Sequence, residues 1–590
     1  MEQWILMQKS VDLKEWASAL NVDPLVAKII RNRGITELSE ARSFLCGTME
    51  ELHSPGLLKD MDELTRALEE AIAAGRKIRV IGDYDVDGVT STYILVRGLE
   101  LLGAQVDAAI PHRVRDGYGL NPDMVTQAAA EGTQVILTCD NGISAMDAAE
   151  RAAELGLELL VTDHHEVPYR QEEDGSRTQL LPKARAVVDP HRADCPYPFK
   201  EICGAMVAYK VMTQMRERTG SEALGGAMDE LLQFAALGTV CDVMPLLNEN
   251  RIVVREGIER MKHTGNPGLK ALMEANALDP SKLSCYHLGF VLGPCVNATG
   301  RLGTAMDALD LFRERNYRQA ILMASQIKGL NDSRKDMTQK GVDEALVYAK
   351  EHHLEEQAVW VIFLPEVHES IAGIIAGKVR ESSSHPVFIL TRGAEGIKGS
   401  GRSIEAYPMY DRMSEVKELF TKYGGHAQAA GLSMREEDIE TLRRELNARA
   451  GLTEDDFRSM VYIDAAMPFG YATMELAREL ERLEPTGTGN PQPLFAQKNV
   501  TFLGLKRFGS RGAVRKISRG GSGWRPRGAD LFPRSGPVRV LCGGEVRRGK
   551  HGGAGAGARE RGAEHHLSPV PEHLSGRDQS AVCHGGLLLI

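Results

Sequence analysis

Apolar residues in the first 190 positions fall into short β-branched runs, each followed by a polar loop. The run in IRVIGDYD precedes the helical pattern DGVTSTYILVRGLELLG, and VILTCDNG precedes ISAMDAAERAAELG. A third run, LELLVTDHH, leads through a proline-containing loop to AVVDP. This alternation predicts a parallel sheet with helices on both faces, and such sheets bind ligands at the carboxyl ends of their strands.

The rest of the chain is predicted to be mainly helical, with one further α/β unit. EWASALNVDPLVAKIIRNRG has apolar residues near helical spacing and a stop at Gly34. A helical stretch is expected from about 204 to 350, interrupted by LGTVCDVMPL and VLGPCVNATGRLG. The second α/β unit then runs from AVWVIFLP to YGGHAQAAGLSM, and a helical connector reaches a boundary at PTGTGNPQPLF.

Length and composition limit the class of protein. The 590 residues exceed what one core can hold and predict about three to five domains. No apolar run approaches the roughly 18 residues that span a bilayer, and the N-terminus lacks a signal-peptide pattern, so we expect a cytoplasmic protein with no membrane contact. Nine cysteines without a C-x-x-C pair indicate reduced thiols.

The net charge of −10 conceals two differently charged parts. Residues 506–590 contain 16 Lys and Arg, 6 Asp and Glu and 18 glycines, so this tail carries +10 and the preceding residues −20. The tail has no helical or strand period. It is either a flexible basic arm that holds nucleic acid or a stretch translated out of frame. We favour the second interpretation, because a strand-rich module that begins at PLFAQKNVTFLGLKRFG stops abruptly.

The first strand-end loop contains three carboxylates within five residues, Asp83, Asp85 and Asp87. They would repel one another unless a cation or solvent offset their charge. The spacing resembles an EF-hand loop, but Ile94 stands where that loop needs Glu, and a strand precedes it. A solvated acidic turn is the alternative, and the position at a strand end favours a functional site.

The other strand ends carry similar side chains. Asp140 follows the second run, and Asp163-His164-His165 follows the third. Three such ends would converge at one rim of the sheet and offer the mixed oxygen and nitrogen ligands suited to Mn²⁺ or Mg²⁺. Asp242, after LGTV, is a candidate fourth contribution, for which a helix N-cap is the alternative.

Eight motifs extend this pattern between Ile78 and Phe495: GDYDVDGVTS, CDNGIS, TDHH, GTVCDVMPL, NATGRLG, GSGRS, GGHAQAAG and TGTGNPQPLF. In number and order they resemble the DHH phosphoesterase superfamily and, within it, the RecJ family of single-stranded-DNA-specific 5′→3′ exonucleases. The resemblance implies a metal-dependent exodeoxyribonuclease that hydrolyses phosphodiester bonds and releases 5′-mononucleotides. It also implies a place in DNA recombination, DNA repair and mismatch repair.

The resemblance further implies roles for individual residues. Two ions, Mn²⁺ or Mg²⁺, would be held by Asp83, Asp85, Asp87, Asp140, His164 and Asp242. Asp140 would bridge the ions, and His165 would contact a phosphate. The remaining substrate-binding candidates are Asn297, Arg301, Ser400, Arg402 and His426. Arg301 and Arg402 are expected in glycine-containing loops, where a planar guanidinium can meet a phosphate.

The expected fold is α/β, with a parallel-sheet DHH phosphoesterase domain and a smaller α/β DHH-associated domain. A truncated or out-of-frame oligonucleotide-binding barrel is expected at the C-terminus, because the tail does not match the barrel's later strands. The predicted divisions are an N-terminal helical segment 1–50, the DHH catalytic domain 51–250, a helical connector 251–345, the DHH-associated substrate-binding domain 346–450, a connector with the barrel's start 451–505, and the Gly/Arg-rich tail 506–590.

Two other functions fit part of this pattern. One is a DHH phosphodiesterase acting on short oligonucleotides or cyclic dinucleotides. It is less favoured because such enzymes resemble only the two catalytic units. The other is a non-catalytic replication scaffold, which is less favoured because no metal ligand is missing. The partners implied by the resemblance are single-stranded DNA, a RecQ-type helicase and a single-strand-binding protein.

Overall fold

A computed structural model describes residues 3–9, 12–172, 174–393, 396–458 and 460–498, and the backbone of five further strands between 501 and 589. The chain divides into two compact units. The larger contains residues 43–457 and 485–491, and the smaller contains residues 1–42, 458–484 and 492–590. No helix in the described ranges has the length and apolar character needed to cross a membrane.

The described strands are β1 Gln3–Leu6, β2 Lys77–Ile81, β3 Gln105–Ala109, β4 Val135–Thr138, β5 Glu158–Thr162, β6 Tyr169–Gln171, β7 Arg177–Gln179, β8 Ala186–Val188, β9 Trp360–Phe363, β10 Val387–Gly393, β11 Gly396–Arg402, β12 Phe420–His426, β13 Ala429–Met434, β14 Met460–Ile463, β15 Ala465–Ala466, β16 Phe495–Lys498, β17 Thr501–Phe508, β18 Val514–Arg519, β19 Val546–Arg548, β20 Ala581–Cys583 and β21 Leu587–Leu589.

The described α-helices are α1 Leu13–Leu20, α2 Pro24–Asn32, α3 Leu38–Cys46, α4 Met61–Ala73, α5 Val86–Leu101, α6 Pro122–Ala130, α7 Met146–Glu154, α8 Gly204–Thr219, α9 Glu222–Cys241, α10 Asn248–Met261, α11 Pro267–Ala275, α12 Cys285–His287, α13 Gly293–Leu302, α14 Met306–Arg313, α15 Tyr317–Glu351, α16 Glu369–Ser383, α17 Met409–Ser414, α18 Ile439–Ala448 and α19 Met474–Glu481. A π-helical turn, Leu288–Leu292, joins α12 to α13.

The larger unit contains the predicted parallel sheet, in the order β3-β2-β4-β5-β8. Every neighbouring pair in it is parallel. Successive side chains alternate between two apolar clusters: Val80 and Leu137 belong to one, whereas Ile81 and Ile136 belong to the other. Because both faces are buried, the strands read as continuous apolar runs, which confirms the predicted architecture.

Two glycines allow helices to pack close to the loops at the strand ends. A Cβ atom on Gly204, at the start of α8, would lie 2.7 Å from the Cβ of Asp140. A Cβ atom on Gly238, in α9, would lie 2.6 Å from Asp87 Oδ1. Helices α8 and α9 can therefore pack this close to the loops only because glycine, which has no side chain, stands at these two positions.

The predicted second α/β unit is also present. Its mixed sheet has the order β12-β13-β11-β10-β9, in which only β9 and β10 are parallel. Val361 and Phe388 face one apolar cluster of this sheet, and Ile362 and Ile389 face the other, which includes residues of α16. The expected smaller α/β domain is thereby confirmed.

Two local expectations are wrong, and one holds in part. LGTVCDVMPL interrupts the helical stretch only from Asp242 onward, because LGTVC forms the end of α9. GPCVNATGRL does not interrupt it, because this segment forms all of α13. Pro294 is the second residue of α13 and directly follows the π-helical turn, so its missing N–H falls where the helical hydrogen-bond register changes. Asp242 is not an N-cap, since it follows the carboxyl end of α9.

In the smaller unit, β1 pairs in parallel with β14, so the N-terminal segment begins with a strand. Arg33 and Asp464 form an ion pair at 2.7 Å with side chains only 3% exposed. The described strands near the C-terminus form sheets in the orders β15-β16-β21 and β18-β17-β20-β19. The interpretations of residues 506–590 fall mostly outside the described residues.

Candidate active site

All seven predicted catalytic residues meet at the carboxyl end of the parallel sheet. The loops after β2, β4 and β5 contribute five of them, the first turn of α5 contributes Asp87, and the end of α9 contributes Asp242. Potential ligand atoms form three groups, each within 4.8 Å: Asp83, Asp85 and Asp140; Asp87, His164 and Asp242; Asp140, His164 and His165. Asp140 and His164 each belong to two groups, so the cluster is continuous.

The surrounding backbone fixes the first acidic loop. Asp85 is the N-cap of α5 and accepts a hydrogen bond from the backbone N–H of Gly88. The two carboxylate oxygens of Asp87 accept from the N–H groups of Gly204 and Ala205 at 2.6 and 2.9 Å. These N–H groups open α8, where the helix dipole favours negative charge. Because Asp83 and Asp87 are each 1% exposed, the alternative of a solvated acidic turn is wrong.

His164 lies among the carboxylates. Its Nε2 lies 3.0 Å from Asp140 Oδ1, 3.6 Å from Asp87 Oδ2 and 3.7 Å from Asp242 Oδ2. Burial lowers the pKa of His164, even though Asp87, Asp163 and Asp85 favour its charged form. A neutral imidazole is the form that binds a metal ion.

The acidic side chains lack the partners that such burial requires. Within the described chain, both carboxylate oxygens of Asp83 and Oδ2 of Asp242 are buried without a hydrogen-bond partner. Burial and the neighbouring Asp85 raise the pKa of Asp83 to about 8, and burial with Asp87 raises the pKa of Asp242 to about 9. A bound divalent cation would satisfy these oxygens and remove the repulsion, so the residues present fit a metal centre.

His165 differs from its neighbour. Burial opposes its charge, but its Nδ1 lies 2.7 Å from Asp163 Oδ1, and the pKa of His165 is raised to about 9. Tyr118 donates a hydrogen bond to the backbone oxygen of Asp140 and lies 3.1 Å from His165 Nε2. A half-exposed imidazolium beside the acidic cluster can attract a phosphate.

The predicted substrate residues lie on regular elements. Arg301 is in the last turn of α13, and Arg402 is the final residue of β11, so the expectation of glycine-containing loops is wrong. Arg301 and Arg402 also interact electrostatically. The pKa of Arg301 is lowered to about 9 by burial and then by the charges of Arg113, Arg334 and Arg402. Such a group of arginines is suited to an anion.

The remaining substrate candidates lie around these arginines. Asn297 precedes Arg301 by one turn of α13. Ser400 and Arg402 lie on β11 opposite Gly373 of α16, where an added Cβ would be 3.5 Å from the Cβ of Ser400 and 3.0 Å from Nη2 of Arg402. His426 is exposed at the end of β12, and its pairing residue Ala429 also pairs with Arg402.

Two residues near the site, Arg113 and Ser370, are not among those that the sequence predicts. The Arg113 guanidinium lies 3.9 Å from the ring centroid of Tyr84, and its Nε is buried without a hydrogen-bond partner in the described structure. Arg113 follows β3, whose sequence QVDAA is too weakly apolar to stand out as a strand. Its position in the loop PHRVRDGYG after a fourth parallel strand was the available signal.

Family models match three parts of the chain. They describe the DHH family N-terminal domain at residues 77–239, the DHHA1 domain at 356–451 and the RecJ OB domain at 463–529. The third match extends past residue 505, where the predicted tail begins.

Curated relatives cover most of this chain. The single-stranded-DNA-specific exonuclease RecJ of Bacillus subtilis is 34% identical over 86% of this chain and 63% of its own length. The protein of the same description from Escherichia coli is 34% identical over 80% of this chain and 83% of its own. The chain thus spans less than two thirds of the B. subtilis relative.

Two solved structures of RecJ proteins are similar to the structure of this chain. The crystal structure of RecJ from Thermus thermophilus in complex with Mn²⁺ is similar with a TM-score of 0.74 and 29% identity, covering 94% of this chain and 78% of that one. A crystal structure of exonuclease RecJ bound to manganese has a TM-score of 0.58 and 32% identity, covering 68% of this chain and 96% of that one.

Proposed function

This chain belongs to the RecJ family, and from that premise we propose that it is a metal-dependent, single-stranded-DNA-specific 5′→3′ exonuclease. It hydrolyses phosphodiester bonds and releases 5′-mononucleotides, in DNA recombination and repair. The observation that carries the proposal is the buried cluster of Asp83, Asp140, His164 and Asp242, in which several oxygens lack hydrogen-bond partners within the described chain.

In this proposal two divalent ions, Mn²⁺ or Mg²⁺, are held by the three overlapping groups. Asp83, Asp85, Asp87, Asp140, His164 and Asp242 would hold these ions, with Asp140 shared between the groups. Two such ions, when bound, supply an activated water and stabilise the departing oxygen. Gly204 and Ala205 orient Asp87 by donating hydrogen bonds from their N–H groups to its two carboxylate oxygens.

The arginines position the DNA. Arg301 and Arg402 would bind the phosphate ahead of the scissile bond, with Arg113 and the imidazolium of His165 on the side of the acidic cluster. Support comes from the pKa of Arg301, which is lowered by burial and then by the charges of the neighbouring arginines, a repulsion that a bound phosphate would offset. The remaining assigned contacts are Asn297 to the nucleotide, and Ser400 and His426 to the phosphate.

The wider roles rest on the family alone. We propose a RecQ-type helicase and a single-strand-binding protein as partners, because an exonuclease of this specificity needs unwound DNA. Action on chromosomal DNA would place the protein in the cytoplasm. The domain divisions at residues 50, 250, 345, 450 and 505 are also proposed from the family resemblance.

The test is the release of nucleotides from a 5′-labelled single strand and from the matching duplex, with Mn²⁺ and with chelator. Asp140→Ala should abolish metal-dependent release, while Asp343→Ala, an exposed carboxylate of α15, should leave it intact. Hydrolysis of dinucleotides without release from long strands would instead favour the short-oligonucleotide function. Binding without any hydrolysis would favour the scaffold.

A further inference from the structure

Two aromatic side chains are exposed at the π-helical turn that contacts the end of α9. Tyr286 is 63% exposed and Phe290 is 70% exposed. Their rings are stacked, with centroids 5.3 Å apart and planes inclined by 24°. Single exposed apolar residues are common, but a stacked and open aromatic pair leaves two ring faces available to a further ring.

The pair is close to the catalytic residues. Leu288, between the two rings in the chain, accepts a hydrogen bond through its carbonyl oxygen from the Cys241 thiol at 3.5 Å. Cys241 directly precedes Asp242. Phe290 also lies in the π-helical turn Leu288–Leu292, a rare geometry that is frequent at functional sites.

An accessible stripe leads from this pair to the phosphate-binding arginine. From residue 292 to residue 300, only Pro294 and Asn297 are not buried, and Arg301 follows as the next accessible position. Phe290, Pro294, Asn297 and Arg301 recur at intervals of three and four residues, so they lie on one face of the helix. At a rise of about 1.5 Å per residue, the stripe from Phe290 to Arg301 is roughly 16 Å long.

We propose that Tyr286 and Phe290 form a base-stacking platform for the single strand, several nucleotides beyond the scissile phosphate. The inference rests on the proposed exonuclease function and adds a contact that grips the strand during successive cleavages. Every base offers a π-face, so such a platform holds DNA without reading its sequence.

Two double variants of the full chain test whether DNA binding requires the aromatic rings or only an apolar surface. Tyr286→Leu with Phe290→Leu keeps an apolar surface but removes both rings. Tyr286→Phe with Phe290→Tyr keeps both rings. Leu322→Ala, which changes a 60% exposed residue of α15, is the unrelated surface control.

Steady-state kinetics in Mn²⁺ compare a 5′-phosphorylated oligothymidylate of about 20 nucleotides with a dinucleotide, which is too short to reach from Arg301 to Phe290. We expect the Leu/Leu variant to raise KM for the long strand about tenfold, as the loss of one stacked base predicts, with a smaller change in kcat. The ring-keeping variant and Leu322→Ala should stay within about twofold of the parent protein. Equal losses on both substrates, or no loss on the long strand, would overturn the proposal.

A second measurement does not depend on hydrolysis. A 2-aminopurine base placed at successive positions of the strand, with chelator present, should be quenched at a defined distance from the 5′ end, and the quenching should vanish in the Leu/Leu variant only. Absence of quenching at every position would refute the platform. If the parent protein hydrolyses no strand yet shows this quenching, the exonuclease function fails and the platform stands.

Discussion

Arg301 and Ser370 exchange hydrogen bonds between α13 and the first turn of α16. The Arg301 guanidinium donates to the backbone oxygen of Ser370 at 2.5 Å, and the Ser370 hydroxyl donates to the backbone oxygen of Arg301 at 3.0 Å. His368 Nδ1 lies 2.7 Å from the same hydroxyl. Arg301, for which we propose a phosphate-binding role, is therefore held by contacts with the DHHA1 region.

The first prediction concerns Ser370→Ala, which removes the hydroxyl donor. Loss of a hydrogen bond worth about 1 kcal/mol should lower kcat/KM on a 5′-phosphorylated strand about fivefold, mainly through KM, because Arg301 becomes less well oriented. Ser370→Thr keeps the hydroxyl and should restore most of the activity. Equal kinetics for the Ala variant and the parent protein would show that Arg301 needs no such positioning.

The second prediction concerns metal and stability. Because the unpartnered oxygens of Asp83 and Asp242 are buried in the acidic cluster, Mn²⁺ at about 100 times its Kd should stabilise the fold by about 2.7 kcal/mol. The melting midpoint should rise on adding Mn²⁺ and fall again with chelator. Asp83→Asn should lose most of this rise, and an unchanged response would remove Asp83 from the metal site.

The third prediction concerns pH without metal. The pKa of Asp83 in the folded protein is raised to about 8 from an ordinary value of 3.8, so the folded state holds this proton more tightly than the unfolded chain. Its contribution to the free energy of unfolding is fully present below about pH 4 and is lost as the pH rises to about 8. The melting midpoint in chelator should therefore fall from pH 5 to pH 8. Asp83→Asn should flatten this slope, and a steeper slope would contradict the prediction.

The fourth prediction uses two glycines of α9. In Gly238→Ala the new methyl group would lie 2.6 Å from both the Cβ of Ala205 and Oδ1 of Asp87, so the carboxylate must move. We expect at least a tenfold loss of activity and a destabilisation of about 1–3 kcal/mol. Gly226→Ala is the matched control, since a Cβ there meets nothing within 4 Å. It should be neutral or stabilise the helix by up to about 1 kcal/mol, measured by thermal melting.

The chain sequence alone was sufficient to locate the acidic centre. Buried parallel strands read as continuous apolar runs, and the residues after them must meet at one edge of the sheet. The sequence therefore predicts that Asp83, Asp140 and His164 lie close together. The order of the later motifs similarly indicated the second α/β domain and the family.

Tertiary packing decided the rest, because it depends on contacts between residues distant in the chain. GPCVNATGRL contains glycine and proline that indicate a loop, yet burial between neighbouring helices makes it α13 and puts Arg301 on a rigid element. In the sequence, Ser370 is an ordinary residue of a helix start. Its contacts with Arg301 arise only because α16 packs near α13. Tyr286 and Phe290 resemble core residues in the sequence, and only the folded structure shows that they are exposed. The apolar pattern of a helix does not determine which of its faces is left uncovered by its neighbours.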